Sequence, residues 1–424
     1  MQKISYNNIG KTLISETLPN GLKINIVPKP DYSKSVAFFA ANYGGADRRF
    51  KLSGNWTDTP AGVAHFLEHK LFDMPDGNAL NVMSETGASP NAFTSSKMTA
   101  YYFECTDGFN TNLDTLLNFV STPYFTDEGV QKEQGIIGQE IHMIEDDPGF
   151  VVYYNLLRCL YTSNPIRESV AGTVGSIAEI TRETLYDCHK VFYNPSNMTL
   201  SVVGNVNPES VIEMAKKILP SEPGEIPQRD YGPDESEIPH EREKSVSMEV
   251  SAPQFLFGAK FKPEKSGVAR LKQMLTADIA LRMVFGRSSD FYTRLYAEGL
   301  LNNSFSYDHD FAAGTAMIMV GGESRDVSAV TAELKNELSR ISAQGIGKER
   351  FEAAKKALFG ISIKSLDSFS YIARSLAVGA FTGFCPFDSF GLFQEINLDD
   401  VLNFITGNLT KDKIALSVVS PLTA

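Results

Sequence analysis

The sequence predicts an α+β protein of two similar α/β domains, with antiparallel-rich sheets and helices packed on one face of each sheet. Its 424 residues exceed the roughly 100–200 residues of one ordinary domain. A stretch rich in proline and acidic residues divides the chain, and the two halves share an order of strands and helices. We therefore expect an N-terminal domain over 1–220, a linker over 221–245 and a C-terminal domain over 246–424.

The linker is predicted from residues 220–239, which read PSEPGEIPQRDYGPDESEIP. Five prolines and many acidic side chains interrupt any apolar period there. On length alone, each flanking half suffices for one domain.

Both halves show the same succession of elements, which indicates an internal duplication. The first half predicts strands at 22–27 and 36–43, a helix at 60–74, paired strands at 91–105, helical segments over 110–143 and a late strand at 200–203. The second half predicts a strand at 253–261, a helix at 268–285, paired strands at 305–321, helical segments over 327–362 and a late strand at 416–419. The first long helix is expected to start at Pro60, capped by Asp58 or Thr59. Both late strands read Leu-Ser-Val-Val.

Composition limits the classes of function. The chain is 42% hydrophobic and 21% charged, which suits globular cores, and its formal net charge of −12 argues against nucleic-acid binding. Scattered cysteines predict neither a disulfide framework nor a thiolate zinc site; they are Cys105, Cys159, Cys188 and Cys385. Without a visible secretion signal or a long apolar run, the sequence predicts a cytoplasmic protein that does not cross a membrane.

The segment His65-Phe66-Leu67-Glu68-His69 predicts a zinc centre. On a helix, His65 and His69 are four residues apart and share one face, as two ligands of one ion must. Glu68 lies close to that face and can reach a metal-bound water. Two buried, hydrogen-bonded histidines are the alternative, but this spacing is a known catalytic motif.

A catalytic zinc needs a third protein ligand. Glu133 and Glu140 are seven residues apart, about two helical turns, and so share a face. One could bind the metal while the other supports a ligand. Spacing alone equally fits two solvent-exposed glutamates, and His142 is a weaker candidate on the same helix.

Four segments make the chain resemble the inverted-motif zinc peptidases of the pitrilysin and insulinase superfamily, in the branch of the mitochondrial processing peptidases; they are 64–72, 87–94, 132–141 and 193–198. The resemblance implies that family's metallohydrolase fold, with two domains arranged as a clamshell. It also implies one zinc ion bound by His65, His69 and Glu140. Glu68 would then be the general base and Glu133 the supporting carboxylate.

The same resemblance assigns substrate contacts. Asn91, Ala92 and Phe93 would lie on an edge strand beside the metal, where an extended peptide can add; an ordinary strand end is the alternative. Aligning 125–140 with 346–361 pairs Glu133 with Ala354 and Glu140 with Ile361. The second half is therefore expected to hold no zinc.

Related enzymes that act alone carry an Arg and a Tyr seven positions apart in the second half. The matching region contains Arg294, Tyr296 and Tyr307, but no Arg–Tyr pair with that spacing. Either the pair has shifted, or a related subunit supplies it in a homodimer or heterodimer, which we favour. The remaining alternative is that Arg294, Tyr296 and Tyr307 have only packing or surface roles.

The sequence thus predicts a zinc-dependent endopeptidase that acts on short or unfolded peptides, as the metal-bearing subunit of a two-chain enzyme. A non-catalytic scaffold subunit of the same superfamily is the alternative. An S-ribosylhomocysteine lyase shares a similar motif but is a much smaller, single-domain protein. The physiological substrate is not predicted.

Overall fold

The computed structural model of the protein describes residues 1–422 and divides them into two compact units. The first unit comprises 1–141, 168–231 and 363–387. The second comprises 142–167, 232–362 and 388 onward. Each unit contains one large sheet, of seven strands in the first and five in the second.

Sixteen strands are present in the described residues. In chain order they are β1 Gln2–Tyr6, β2 Lys11–Thr17, β3 Lys23–Pro28, β4 Ser35–Ala41, β5 Arg49–Leu52, β6 Asn55–Asp58, β7 Asp73–Met74, β8 Gly77–Asn78, β9 Ser89–Thr94, β10 Thr99–Cys105, β11 Met198–Gly204, β12 Glu243–Met248, β13 Gln254–Phe261, β14 Ser306–Ala312, β15 Thr315–Glu323 and β16 Ile414–Pro421.

Fifteen α-helices complete the architecture of residues 1–422. They are α1 Val63–Leu71, α2 Ala79–Glu85, α3 Phe109–Ser121, α4 Asp127–Glu145, α5 Pro148–Leu160, α6 Val174–Ala178, α7 Arg182–Phe192, α8 Pro208–Ile218, α9 Gly267–Phe285, α10 Asp290–Ala297, α11 Val327–Gln344, α12 Lys348–Ser365, α13 Phe369–Thr382, α14 Ser389–Glu395 and α15 Leu398–Asn408.

The first sheet has the strand order β1-β2-β3-β11-β4-β10-β9. Every residue of β4 and β11 is buried. Because successive side chains of a strand point to opposite faces, both faces of these two strands are covered. Helix α13 packs on β4 and β11, and α1 and α3 pack on β10. The sequence predicted helices on one face only.

The second sheet, β12-β16-β13-β15-β14, repeats the order β3-β11-β4-β10-β9 of the first. The first pair is parallel in both sheets, and the next three pairs are antiparallel in both. Shared order and shared direction confirm the internal duplication that the sequence predicted.

Strand register gives the equivalent residues. Across the first sheet, Leu200 of β11 lies opposite Phe39, Phe39 lies opposite Tyr101 of β10, and Tyr101 lies opposite Ala92 of β9. In the second sheet the residue equivalent to Leu200 is Leu416, the first residue of the matching Leu-Ser-Val-Val segment.

Across this second sheet, Leu416 lies opposite Phe257 of β13, Phe257 opposite Val320 of β15, and Val320 opposite Tyr307 of β14. Tyr307 therefore occupies the place of Ala92, on the edge strand of its own sheet.

Two helices belong to the unit of the opposite half of the chain. Helix α5, from the first half, packs on β13 and β16, whereas α13, from the second half, packs on β4 and β11. The compact units thus differ from the linear division at 220 and 246. Which sheet a helix packs on is decided by tertiary contacts, and chain order alone does not specify it.

The helix predicted over 60–74 is shorter at both ends. It begins after Gly62, whose φ of 98° lies in the left-handed region. A Cβ at Gly62 would come within 2.6 Å of the Ala171 carbonyl oxygen, so the position requires glycine. Pro60 therefore precedes the helix. After the helix ends, Asp73–Met74 forms the first strand of a short hairpin.

The predicted linker is anchored by specific contacts. Within the first unit, Arg229 pairs with buried Asp47 at 2.9 Å, and the Tyr231 hydroxyl donates to the same carboxylate at 2.7 Å. Within the second unit, Glu235 accepts backbone N–H bonds from 162–164 at 2.8–3.0 Å. These bonds, together with Lys260, hold the pKa of Glu235 at about 2 even though its partial burial opposes ionisation.

No single helix within residues 1–422 has the length and apolar composition needed to cross a membrane. One pair of helices, Phe369–Thr382 with Pro386–Glu395, satisfies both criteria only when taken together, and it is bent by 98°. The cytoplasmic location stays a prediction.

Candidate metal centre

Helix α1 presents the predicted histidines. His65 and His69 lie one turn apart, with ring centroids 4.6 Å from each other, as the i, i+4 spacing requires. The segment between them is apolar and buried through Phe66 and Leu67, which fixes the helix against the sheet. The two imidazoles therefore lie on the side of α1 that faces α4.

Helix α4 brings Glu140 to both imidazoles. The Nε2 atoms of His65 and His69 each lie 3.6 Å from a carboxylate oxygen of Glu140. This separation is long for a hydrogen bond. It is close to the roughly 3.4 Å between two tetrahedral ligand atoms that are each 2.0–2.1 Å from zinc. The three side chains fit one zinc ion, and they are the one such group of His, Cys, Asp and Glu found across residues 1–422.

His65 is poised as a neutral ligand. Burial, with a smaller contribution from His69, lowers its pKa to about 3. Its Nδ1 atom is buried and has no hydrogen-bond partner. Neutral imidazole is the form that binds metals, so His65 satisfies the chemical requirement for a ligand.

Glu133 orients the second histidine. Its Oε1 lies 3.0 Å from His69 Nδ1, so this ring nitrogen donates to the carboxylate and Nε2 is left for a metal. Burial lowers the pKa of His69, but the hydrogen bond and the charge of Glu133 outweigh it, and the net direction is upward. The supporting role predicted for Glu133 has the geometry it requires.

Glu68 lies on the same helix and accepts a hydrogen bond of 2.6 Å from the Thr94 hydroxyl. Burial raises the pKa of Glu68, and the Thr94 bond opposes that rise. A carboxylate with a raised pKa is a stronger base, which suits a group that accepts a proton and then returns it.

A cavity of about 750 Å³ adjoins these residues and is lined by Glu68, His69, Lys70, Asn91, Ala92 and Glu133, among others. Strand β9, which carries Asn91 and Ala92, is the edge of the first sheet. The backbone of this edge is therefore next to Glu68.

The side chain of Phe93 lies elsewhere. Its ring packs against Phe38 and Tyr102 at centroid distances of 5.9 and 6.4 Å, and the Arg374 guanidinium lies over it at 5.0 Å. Alternation along β9 explains this, because Thr94 faces Glu68 and its neighbour Phe93 faces the opposite side.

The three residues of the region that matches the Arg–Tyr pair, which would bind substrate if the pair has shifted, lie in the second unit. Arg294 pairs with Glu333 at 2.5 Å, Tyr296 is exposed and stacks on Tyr292, and Tyr307 is on β14. Their role in substrate binding stays a prediction. The alternative ligand His142 is exposed near the end of α4, 3.8 Å from Glu145, and does not join the metal group.

Two functional candidates were missed in the sequence. Thr94 had a signal in its place within the Asn-Ala-Phe-Thr segment, but the bond to Glu68 spans 26 residues and only the fold reveals it. Lys70 follows the motif directly, and nothing in its spacing indicates that its amine points back to Glu133.

Family models match most of the chain. Residues 53–174 match the insulinase family, peptidase family M16, and residues 179–358 match the M16 inactive domain. The zinc protease YmfH of Bacillus subtilis is 37% identical over 99% of both chains. A mitochondrial-processing peptidase subunit beta of Arabidopsis thaliana is 30% identical over 48% of this chain and 38% of its own.

Solved structures show the same fold. A crystal structure of an M16-like peptidase from Alicyclobacillus acidocaldarius superposes with a TM-score of 0.93 and 32% identity, covering 97% of this chain and 99% of that one. An M16 inactive domain from Pseudomonas fluorescens shares the fold at 15% identity and a TM-score of 0.81, covering 97% and 98%. The predicted α+β fold of two domains is thereby confirmed, and the chain belongs to the M16 insulinase family of metallopeptidases.

Proposed function

We propose that this chain is a zinc-dependent endopeptidase that hydrolyses short or unfolded peptides, with one zinc ion held by His65, His69 and Glu140. The proposal is supported above all by the convergence of those three ligands, together with a cavity that His69 and the neighbouring Glu68 line. Loss of any one of these four groups would be enough to inactivate a relative, and this chain retains all four.

The chemistry follows from the positions of the side chains. A bound zinc ion would act as a Lewis acid for the scissile carbonyl and make a water molecule more acidic. Glu68 takes a proton from the attacking water and then delivers it to the leaving amine nitrogen. Thr94 holds one oxygen of Glu68 during both transfers, and Glu133 keeps the His69 ring in its orientation.

Substrate binding is proposed along β9. An extended peptide can add to this edge by backbone hydrogen bonds, which places its carbonyls beside Glu68. Asn91 and Ala92 line the cavity there and would contact the peptide. A folded protein has few free extended segments, so this mode favours short or unfolded chains.

A second chain is proposed to complete the site. The family's Arg–Tyr pair is not found at its spacing here, and Leu300 stands seven positions before Tyr307. Arg294 is already paired with Glu333. A homodimer, or a heterodimer with a related subunit, would supply the missing pair.

The test is cleavage of a peptide library by the purified chain alone, then with any subunit that co-purifies, with and without a chelator. We expect chelator-sensitive cleavage that Glu68→Gln lowers by about 10²-fold or more. Glu145→Gln, an exposed glutamate at the end of α4, is the matched control and should leave cleavage unchanged. Zinc-loaded protein that cleaves nothing, alone or with its partner, would favour the scaffold alternative.

A further inference from the structure

Lys70 is the residue directly after the motif, and its side chain is only 3% exposed. Burying a lysine is costly unless its ammonium group is paired. Two carboxylates surround it: Asp73, three residues further along the chain, and Glu133 of α4, whose Oε2 lies 3.9 Å from Nζ. The amine therefore lies between these two carboxylates, hydrogen-bonded to Asp73 and within ion-pair distance of Glu133.

The two oxygens of Glu133 have different partners. Oε1 lies 3.0 Å from His69 Nδ1, and Oε2 faces the Lys70 ammonium group. The Glu133 side chain is 13% exposed, so these contacts replace most of its water. Glu133 is thus joined to Lys70 by an ion pair of 3.9 Å and to His69 by a hydrogen bond of 3.0 Å.

We infer that Lys70 is a positioning residue: it holds the Glu133 carboxylate so that His69 presents Nε2 to the metal. The inference rests on the proposed zinc site but concerns a residue outside the ligand set. A carboxylate fixed on one side only by an imidazole can rotate, and residues that orient a metal-bound histidine strengthen metal binding.

The sign of the effect separates positioning from simple charge balance. A cation close to Zn²⁺ repels it, so a lysine that acted through charge alone would weaken zinc binding, and its removal would tighten binding. A lysine that holds Glu133 in place has the opposite effect, and its removal weakens binding. The measured direction therefore decides between the two roles.

The experiment measures the zinc dissociation constant by chelator competition for the full chain and for Lys70→Met, which keeps an unbranched, buried side chain. We expect weaker binding by on the order of tenfold. Lys132→Met is the matched charge control, because Lys132 lines the same cavity but is exposed. It should leave the affinity unchanged or slightly tighter.

A double-mutant cycle tests the route through Glu133. In a Glu133→Gln background, Lys70→Met should cause little further loss of affinity, because the carboxylate that it positions is gone. The melting temperature of the chelated protein reports any general damage to the fold, and Lys70→Gln replaces Lys70→Met if the latter does not fold.

Three outcomes would overturn the inference: unchanged or tighter zinc binding in Lys70→Met, an equal loss in the Glu133→Gln background, or an affinity loss matched by a lower melting temperature of the chelated protein. If the unaltered chain bound no zinc, the proposed function would fail as well. Zinc binding without peptide cleavage would count against the proposed function and leave this inference standing.

Discussion

The two sheets of this protein have the same framework and different chemistry. Five strands follow the same order in each, and each ends in an edge strand, β9 or β14. Register places His309 of β14 where Thr94 stands in β9, two residues beyond the matched pair Ala92 and Tyr307. The two sheets are therefore equivalent down to individual side-chain positions.

Both places hold a side chain bonded to a helical carboxylate. Thr94 donates to Glu68 of α1, and His309 Nε2 lies 3.0 Å from an oxygen of Asp278 of α9. Helix α9 contains no histidine. No group that could hold a metal ion occurs in the second unit as far as residue 422.

The difference shows that the duplicated fold does not itself specify a metal site. The backbone can carry a carboxylate at both places, but a few side chains of α1 and α4 decide which place has a group that could hold a metal ion. At the positions aligned with Glu133 and Glu140, the second half carries Ala354 and Ile361.

The largest expected effect comes from replacing the carboxylate of Glu68 by an amide, with the same change at Asp278 for comparison. Glu68→Gln should lower the peptide turnover number by about 10²–10⁴-fold, because general acid–base catalysis is lost, while the zinc content stays the same. Asp278→Asn should leave turnover within about twofold. Equal losses of turnover in the two variants, measured under saturating peptide, would contradict the assignment of the general base to Glu68 alone.

Glu133→Gln has the next largest effect. Removing the carboxylate that orients His69 should weaken zinc binding by about 10–100-fold. The measurement is chelator competition on the purified variant. An unchanged dissociation constant would mean that the 3.0 Å contact between Glu133 and His69 does not support the ligand.

Asp278→Ala tests the role of the second pair, which we expect to be structural. The His309 side chain is only 9% exposed, and the loss of its partner should destabilise the second unit by about 1–3 kcal/mol. Burial lowers the pKa of His309, but the Asp278 bond raises it above its ordinary value overall.

The stabilisation from this pair is therefore complete below the unfolded-state pKa of about 6.5 and is lost as the pH rises through the folded-state pKa. Hydrogen exchange of β14 and β15 in urea should show a larger effect of Asp278→Ala at pH 6 than at pH 9. A larger effect at pH 9 would contradict the assignment.

The smallest effect at neutral pH concerns His189 of the first unit. It is buried, its Nε2 donates to the Val120 carbonyl at 2.9 Å, and burial lowers its pKa to about 4. Between pH 6.5 and about 4 the unfolded chain binds a proton that the folded chain does not, so stability falls on acidification, by up to about 1.4 kcal/mol per pH unit.

His189→Gln retains a donor for Val120 and should reduce this loss of stability. Urea unfolding at pH 7 and pH 5, followed through hydrogen exchange of α7, measures it. An identical pH dependence in the variant and the unaltered chain would exclude His189 as the cause.

Local patterns predicted much of the framework. Alternating or continuous apolar residues predicted the central strands, and the structure has strands over Lys23–Pro28, Ser35–Ala41 and Gln254–Phe261. The long helix predicted over 268–285 is confirmed as Gly267–Phe285. His65, Glu68 and His69 stood out because the helical period alone puts them together.

Long-range features were not predictable in the same way. The exchange of α5 and α13 between the units has no local signal, and the start of α1 depends on a left-handed Gly62 packed against Ala171. Lys70 and Thr94 acquire their roles from contacts with residues distant in the chain. The glutamate spacing left the third ligand open, and the family resemblance selected Glu140.

Zinc content per chain, measured by elemental analysis of purified protein, tests the central claim most directly. We expect one zinc per chain for the unaltered protein, none for the double variant His65→Ala and His69→Ala, and one for Asp278→Asn with His309→Gln. Zinc that survived loss of the two α1 histidines, or that disappeared with the second-unit pair, would contradict the assignment of the metal centre to the first unit.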